Sequence, residues 1–272
     1  MKFKYLAILF NIILVFFLLS VILAPVILTG HSPHENLWRS TWPIALALAL
    51  ALAGLNAFFI ANYQLFRLLE REDWPALAYC LEEKIYEKKQ YSIRKVRLLA
   101  NSYLILCDFP SIFKLESRAA ICKPAAIAKN ALIFGTARLL SGDFNGAAVF
   151  YKNILARGKV REEQWVRWFS GLSQILAGNP EQAEAELKSL AASCKNVIIA
   201  GLSAYFLAGS LGKYSLNPEE CHSISEKSRA RVKKAYKNIT NWKKKTEKIG
   251  AEIHGAIIRK YVIEAGSWLF EE

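Results

Sequence analysis

A short phrase that recurs at a nearly fixed interval constrains the fold of this chain more than any other feature. Its polar residues are Asp73, Asp108, Asp143 and Asn179, which are separated by 35, 35 and 36 residues. Each phrase stands between two apolar stretches of helical period. A period of about 35 residues is typical of helix-turn-helix units stacked side by side. The spacing therefore predicts an all-α chain built from repeated helix pairs.

The residues of each phrase fit a junction between two helices. A short Asp or Asn side chain can accept a hydrogen bond from the free N–H groups of the next helix, and proline is tolerated in the first turn. Gly142 and Gly178 precede the third and fourth polar residues, where they allow the preceding helix to end in a left-handed residue. Asn179 with Gln182 also resembles a capping box. Each phrase therefore predicts the end of one helix and the start of another.

Helical periodicity predicts the bounds of the pairs, and no segment shows the sustained alternation of a strand. The predicted helices are 74–88, 92–106, 109–118, 124–140, 144–155, 162–177, 180–192 and 196–211.

The apolar residues are concentrated at the N-terminal end. Residues 5–29 and 42–63 contain no charged residue and no His, and about 20 apolar residues suffice to cross a bilayer core. The first stretch also resembles a secretory signal, but its apolar run is about twice the usual length. We therefore predict a hairpin of two transmembrane helices over residues 1–66. The second apolar stretch has no stop before Glu70, so its helix should continue as the first helix of the repeats.

The basic residues that flank this hairpin predict its orientation in the membrane, and two polar residues within it predict how its helices pack. Lys2 and Lys4 precede the first span, and Arg67 follows the second. Because cytoplasmic flanks carry the excess of Lys and Arg, both termini and the repeats are expected in the cytosol, beside a bacterial cytoplasmic membrane. Asn11 and Asn56 interrupt the apolar runs, and we interpret them as polar residues that pack the two helices together.

Small residues recur at fixed positions around the junctions. They are Ala100, Gly135 and Gly171, eight residues before a junction residue, and Ala147 and Ala183, four residues after one. In this register residues 62–212 resemble tetratricopeptide (TPR) repeats, in which small residues let paired helices approach closely. The resemblance implies an α-solenoid over residues 67–214 that serves as a protein-interaction scaffold. An ordinary helical bundle with short loops is the alternative.

Basic residues are concentrated near the other end. Residues 224–249 hold ten basic and two acidic residues, a net charge of +8 out of the chain's +13. Candidate contacts to an anionic surface are Arg229, Arg231, Lys233, Lys234, Lys237, Lys243, Lys244, Lys245 and Lys248. Three interpretations stay open: a solvated capping helix, binding to anionic lipid headgroups, and binding to nucleic-acid phosphates, for which no reading motif is present.

Residues 215–272 are predicted to form basic C-terminal helices, the first starting at Asn217. An apolar stripe of Val232, Tyr236, Ile239 and residues 246–249, with Trp242 near it, should pack on the last repeat. A final amphipathic helix is predicted over 251–270. Its predicted buried side is Ile253, Ile257, Tyr261 and Trp268.

The sequence lacks the residue patterns of common catalytic and metal-binding sites. The five cysteines are odd in number and form no CxxC pair, which argues against a disulfide framework or a zinc site. His31 and His34 are most simply loop residues, and no phosphate-binding glycine loop or nucleophile elbow is present. We therefore expect a non-enzyme without cofactor or metal.

The function predicted from the sequence is a membrane-anchored, cytosol-facing scaffold that docks an unidentified protein partner at the lipid bilayer. One alternative is a membrane-tethered binder of anionic lipid or nucleic acid that uses the basic C-terminal helices. Another alternative is an accessory subunit of a membrane enzyme complex.

Overall fold

The computed structural model describes residues 3–29, 35–158, 160–250 and 255–270. Within these ranges all regular secondary structure is helical and no strand occurs, which confirms the all-α prediction. The chain divides into two compact units, the first ending at Cys80 and the second beginning at Leu81.

The helices follow the predicted order closely. They are α1 Phe3–Thr29, α2 Glu35–Glu70, α3 Trp74–Glu82, α4 Ile93–Ile105, α5 Phe109–Cys122, α6 Pro124–Lys129, α7 Ala131–Leu140, α8 Phe144–Arg157, α9 Glu163–Leu176, α10 Pro180–Ser193, α11 Val197–Phe206, α12 Pro218–Tyr236, α13 Ile239–Gly250 and α14 Gly255–Phe270. Short π-helical segments follow α3 over Glu83–Glu87 and α11 over Leu207–Leu211.

In the first unit α1 and α2 lie against each other. Asn56 Nδ2 donates a hydrogen bond of 2.7 Å to Asn11 Oδ1 across the pair. Each asparagine also donates to a carbonyl one turn earlier in its own helix. The interpretation of these two residues as packing contacts is confirmed, because a side-chain hydrogen bond between apolar helices ties them in one register.

One segment of the described residues, Trp42–Glu70 in α2, is long and apolar enough to cross a membrane, and its most apolar 18 residues have a mean hydropathy of 2.3. The apolar segment in α1, Ala7–Leu23, is shorter. As predicted, α2 runs without interruption to Glu70. Lys2, His31, His34 and the side chain of Lys4 lie outside the described residues.

Four helix junctions share one backbone geometry. Their left-handed residues are Glu72 (φ 54°), Cys107 (φ 55°), Gly142 (φ 81°) and Gly178 (φ 79°). In each case the N–H of this residue donates to the carbonyl three residues earlier at 3.1–3.3 Å, and the next N–H donates to the carbonyl five residues earlier at 2.9–3.1 Å. This pair of bonds is the Schellman motif, which satisfies carbonyls at a helix end. The period of the sequence is therefore also a period of backbone geometry.

The residue after each left-handed position starts the next helix. The carboxylates of Asp73, Asp108 and Asp143 each accept a hydrogen bond from the backbone N–H three residues later, at 2.9–3.2 Å. The predicted cap is wrong at Asn179, whose side chain accepts no such bond; its backbone carbonyl accepts instead from the N–H of Gln182 at 3.2 Å. This backbone bond spans three residues, as in the tighter turns often found at helix ends, and it takes the place of the side-chain cap.

The small residues around the junctions lie where paired helices meet. A Cβ at Gly135 in α7 would stand 2.0 Å from Cζ of Tyr151 in α8. A Cβ at Gly171 in α9 would stand 3.0 Å from Cγ of Leu187 in α10. Both pairs are 16 residues apart, so the same contact recurs in successive pairs. The alanines at the related positions are fully buried; these are Ala100, Ala147 and Ala183.

Within the second unit each helix from α4 to α11 contacts the next along the chain, except that the short α6 and α7 act as one element. The first helices of successive pairs also meet, as α4 with α6 and α7, α7 with α9, and α9 with α11. The predicted single helix 124–140 is wrong, because it breaks at Asn130. The buried side chain of Asn130 donates to the carbonyl of Ile93 at 3.1 Å and accepts from Nε of Arg97 at 2.8 Å, which ties the break to the first turns of α4.

The C-terminal helices pack on α11. As predicted, α12 begins after Asn217, whose side chain accepts from the N–H of Glu220 at 3.4 Å. Trp242 is 1% exposed, and its indole N–H donates to the carbonyl of Val262 at 3.1 Å. Val232 is also fully buried, whereas Tyr236 and Ile239 are half-buried, so the predicted stripe faces inward fully at Val232 and only partly at the next two positions.

The predicted buried side of α14 is wrong by about one residue. Ile257, Tyr261 and Trp268 are partly exposed, and Ile253 lies outside the described residues. The buried residues are instead Gly255, Ile258, Ala265, Gly266 and Leu269. Small residues are needed on this side because the Trp242 ring lies against it: a Cβ at Gly266 would stand 2.9 Å from Trp242 Nε1.

Candidate functional site

The basic surface of α12 and α13 is only partly free. The exposed residues of the predicted set are Lys234, Lys237, Lys243, Lys244 and Lys245, and Lys233 is half-buried. None of these lysines forms an ion pair within the described part of the chain. The side chain of Lys248 lies outside the described residues. These lysines form the basic surface that remains available to an anion.

The two arginines of the predicted set face other helices. Arg229 Nε donates to the carbonyl of Leu269 at 3.3 Å, and its guanidinium lies 5.2 Å from the ring centroid of Trp268. Arg231 donates to the carbonyls of Ala191 and Ala192 at 3.2 Å each. Arg231 therefore satisfies carbonyls in the last turn of α10, and Arg229 joins α12 to α14.

A groove of about 790 Å³, here called the C-terminal groove, lies between α13 and α14. Its floor contains the buried residues Trp242, Thr246 and Ile258. Its mouth is lined by charged residues and one exposed apolar side chain. They are Lys243, Lys244, Glu247, Arg259 and Ile263.

A second groove of about 540 Å³, here called the inter-pair groove, lies between α5 and α8. Along one wall Arg138 forms two hydrogen bonds with Glu116, at 2.6 and 3.1 Å. The Arg138 guanidinium also lies 5.1 Å from the ring centroid of Phe113 and 4.6 Å from that of Phe150. This cluster holds neighbouring helix pairs together and forms one wall of the groove.

The other wall of the inter-pair groove is a ridge of α8. Asn145, Val149, Asn153 and Arg157 follow one another at intervals of four residues, and all four are exposed. Val149 is 59% exposed. The polar side chains among them have no hydrogen-bond partner within the described residues. The ridge thus combines free amides with an apolar side chain and one cation.

An ion cluster joins α10 to α12. Lys188 Nζ lies 2.8 Å from Glu184 Oε1 and 2.5 Å from Glu220 Oε2. The hydrogen bond that Lys188 donates to Glu184, and then the one that it donates to Glu220, raise the pKa of Lys188. The hydrogen bond from Lys188 lowers the pKa of Glu184, which also accepts a bond from Ser215 Oγ at 2.8 Å. The cluster fixes where the C-terminal helices sit on the last pair.

A tyrosine and a carboxylate share a short hydrogen bond near the start of the second unit. The hydroxyl of Tyr103 donates to Glu82 Oε1 at 2.5 Å. Burial, and then this bond, raise the pKa of Tyr103. A tyrosine that holds its proton more firmly is a poor general base, so this pair is best understood as a packing contact.

The described residues contain no group of three or more His, Cys, Asp and Glu side chains that could hold a metal ion. All five cysteines are free thiols; Cys80, Cys194 and Cys221 are buried, whereas Cys107 and Cys122 are exposed.

Sequence reasoning missed two features of these sites. Arg259 follows the basic run by ten residues, and only the return of α14 places it beside Lys243 and Lys244. The bond between Arg138 and Glu116 joins residues 22 positions apart. The 35-residue register could have suggested this bond, since it makes helices of successive pairs neighbours.

Three comparisons with known proteins give a family but no activity. The model of a family described as "Uncharacterised Treponema protein" matches residues 111–271. A protein of Treponema pallidum (strain Nichols), described as an uncharacterized protein, is 32% identical over 215 residues. The match covers 76% of this chain and 66% of that relative, so the chain spans just under two thirds of the relative's length. No solved structure matches the chain.

Proposed function

We propose that this chain, which belongs to the family of uncharacterised Treponema proteins, is a membrane-anchored scaffold whose paired helices dock a protein partner at the membrane. The single observation that carries this proposal is the Schellman junction repeated at 35, 35 and 36 residues, since repeated pairs of helices build an extended binding surface. The protein has no catalytic role in this proposal.

The anchor is the hairpin of α1 and α2. Large apolar side chains cover its outer faces; Phe16 is 66% exposed and Ile60 is 78% exposed. Such a surface is unfavourable in water and favourable in lipid. The 27 residues of α1 measure about 40 Å as a helix, which exceeds a hydrocarbon core of about 30 Å. Two spans return the chain to its starting side, which the flanking basic residues identify as the cytosol.

The scaffold is a TPR-like α-solenoid over residues 67–214. In such an array each helix contacts the next and the next but one, so that interactions stay between neighbours. Consecutive helices from α4 to α11 contact one another, and the first helices of successive pairs, which are α4, α7, α9 and α11, also contact in turn. The recurring approach of Gly135 to Tyr151 and of Gly171 to Leu187 also supports equivalent packing in successive pairs.

The docking surface in this proposal is the ridge of α8 beside the inter-pair groove. An Asn side chain can both donate and accept, which suits the backbone groups of an extended peptide. Asn145 and Asn153 are eight residues apart, about 12 Å along the helix, a distance that an extended chain covers in about four residues. Exposed Val149 lies between them. We therefore propose an extended segment of a partner protein as the occupant.

The test is a pull-down of the full chain from membranes in mild detergent, with identification of the retained proteins by mass spectrometry. We expect Val149→Glu to lose the partner, because a carboxylate replaces the apolar contact in the groove. Ile121→Glu is the matched control, since Ile121 is 84% exposed on α5 outside the groove; this variant should retain the partner.

A third variant tests whether the partner binds the helical pairs or the basic C-terminal helices. Lys233, Lys234, Lys243, Lys244 and Lys245 are changed together to Gln. If this variant keeps the same partner, the helical pairs carry the interaction. If it alone loses every bound molecule while Val149→Glu loses none, the scaffold proposal is wrong and the basic helices carry the function.

A further inference from the structure

We propose that the C-terminal groove binds a single anionic phospholipid, with an acyl chain between α13 and α14 and the phosphate against Lys243, Lys244 and Arg259. This site goes beyond the scaffold proposal and does not depend on it, because no residue of the groove belongs to the helix pairs that dock the partner.

The size and shape of the groove suit one chain-like ligand. Its volume of about 790 Å³ lies within the range of about 300–1,000 Å³ found for small-molecule sites. The lining residues of α14 recur along one helix face from Gly255 to Gly266, a length of about 16 Å. The groove is thus longer than a phosphate or a sugar headgroup requires.

The floor of the groove is apolar. Trp242 and Ile258 are buried there, and Val262 adds to the wall. At the mouth Ile263 leaves 57% of its surface exposed. An acyl chain laid along these residues would remove this apolar surface from water, which is favourable in proportion to the area buried.

The rim of the groove is cationic. Lys243, Lys244 and Arg259 stand against one carboxylate, Glu247, which leaves a formal charge of +2. None of these four side chains has an ion-pair partner among the described residues. A neutral lipid would leave the cations unused, and a free phosphate or a nucleic acid would leave the apolar floor unused. An anionic phospholipid satisfies both parts of the site.

The experiment uses native mass spectrometry of the full chain, purified and delipidated in mild detergent. The probes are phosphatidylglycerol and phosphatidylcholine with identical acyl chains. We expect one molecule of phosphatidylglycerol to bind, with phosphatidylcholine at least tenfold weaker. Changing Lys243, Lys244 and Arg259 together to Gln should weaken phosphatidylglycerol binding about 100-fold, because each nearby cation adds to the attraction of an anionic headgroup.

A matched variant removes the same charge outside the groove, by changing Lys234, Lys237 and Lys245 to Gln. It should bind phosphatidylglycerol like the unchanged protein. Equal losses in both triple variants would overturn the proposal, because they would show attraction by net charge alone. Displacement of the lipid by soluble glycerol phosphate would also overturn it, since a headgroup without an acyl chain would then suffice.

A second pair of variants tests the acyl chain directly. Ile263→Trp fills the mouth of the groove, whereas Ala256→Trp adds the same side chain at an exposed position of α14 outside it. We expect only Ile263→Trp to reduce phosphatidylglycerol binding, by tenfold or more, with the helical circular dichroism of both variants unchanged. Unreduced binding in a folded Ile263→Trp variant would place the lipid elsewhere and refute the site.

Discussion

Two of the four left-handed junction residues, Glu72 and Cys107, carry side chains, whereas the other two are glycines. A residue with a Cβ costs roughly 1–2 kcal/mol in this conformation, and glycine avoids the cost. The first two junctions therefore keep the same hydrogen bonds as the last two with a strained residue in place of glycine. The repeated geometry is imposed by the packing of the helices on either side as well as by the local sequence.

For the single residue Cys107, we predict that Cys107→Gly stabilises the protein. The strain at φ 55° is relieved, and part of the gain is offset because glycine makes the unfolded chain more flexible. The expected increase in the free energy of unfolding is about 1 kcal/mol, measured by urea unfolding of the full chain in detergent.

The control reverses the change at an equivalent position. Gly142→Ala should destabilise by about 1 kcal/mol, and its effect on the folded state is backbone strain alone, since nothing lies within 4 Å of a Cβ at that position. A stable Gly142→Ala variant together with an unchanged Cys107→Gly variant would show that the junctions impose no left-handed constraint.

Among the elements, α10 and α12 are joined by a titratable cluster. The pKa of Glu184 is lowered in the folded chain by Lys188, so its contribution to stability is present above its unfolded value of about 4.3 and is lost as the pH falls through the folded value. The pKa of Lys188 is raised, so its contribution is present below its unfolded value of about 10.4 and is lost as the pH rises through the folded value. The contact is strongest between these limits.

We therefore predict that Glu184→Gln weakens the acid dependence of stability. The variant should be less stable than the unchanged protein at pH 7, and the difference should shrink as the pH falls below about 4.3. Thermal unfolding of both proteins between pH 3 and pH 8 measures this. Parallel curves over the whole range would mean that the bond between Glu184 and Lys188 adds no stability.

The junctions and helix bounds could be predicted from the sequence because they depend on local residues: Asp143 needs only the N–H of Gly146 three residues later. The break at Asn130 could not, because it depends on Ile93 and Arg97, more than 30 residues away. Likewise, the helical periodicity predicted that α14 has one apolar side, but it did not predict correctly which residues of the helix face the core. The position of the Trp242 ring decided that small residues, not Ile257, face inward.

In the candidate sites, too, the features set by local residues could be predicted and those set by distant contacts could not. The sequence identified the basic run, but it could not separate Arg231, which caps α10, from Lys243, which stays exposed. Both have the same charge and lie on neighbouring helices. The return of α14 also creates the C-terminal groove by placing Arg259 near the lysines. Such contacts depend on how helices that are distant in the sequence pack together, and they leave no pattern among neighbouring residues of the sequence.

For the whole molecule we predict that the repeats face the cytosol. In spheroplasts a membrane-impermeant maleimide should leave the exposed thiols of Cys107 and Cys122 unmodified until the membrane is permeabilised. A Ser32→Cys variant is the control, since the expected loop between the spans should react without permeabilisation. Labelling of the native cysteines in intact spheroplasts, with Ser32→Cys protected, would reverse the proposed topology.

Because the Schellman junction recurs, one whole repeat can be inserted or removed without changing the geometry of a junction. Because Asp108 and Asp143 occupy equivalent positions, removing residues 108–142 would join α4 directly to α8 through the same left-handed turn and the same carboxylate cap. A deletion of half that length would join helices whose directions do not match. Insertions and deletions among relatives should therefore accumulate in steps of about 35 residues within the helix pairs, because only whole steps leave each junction unchanged.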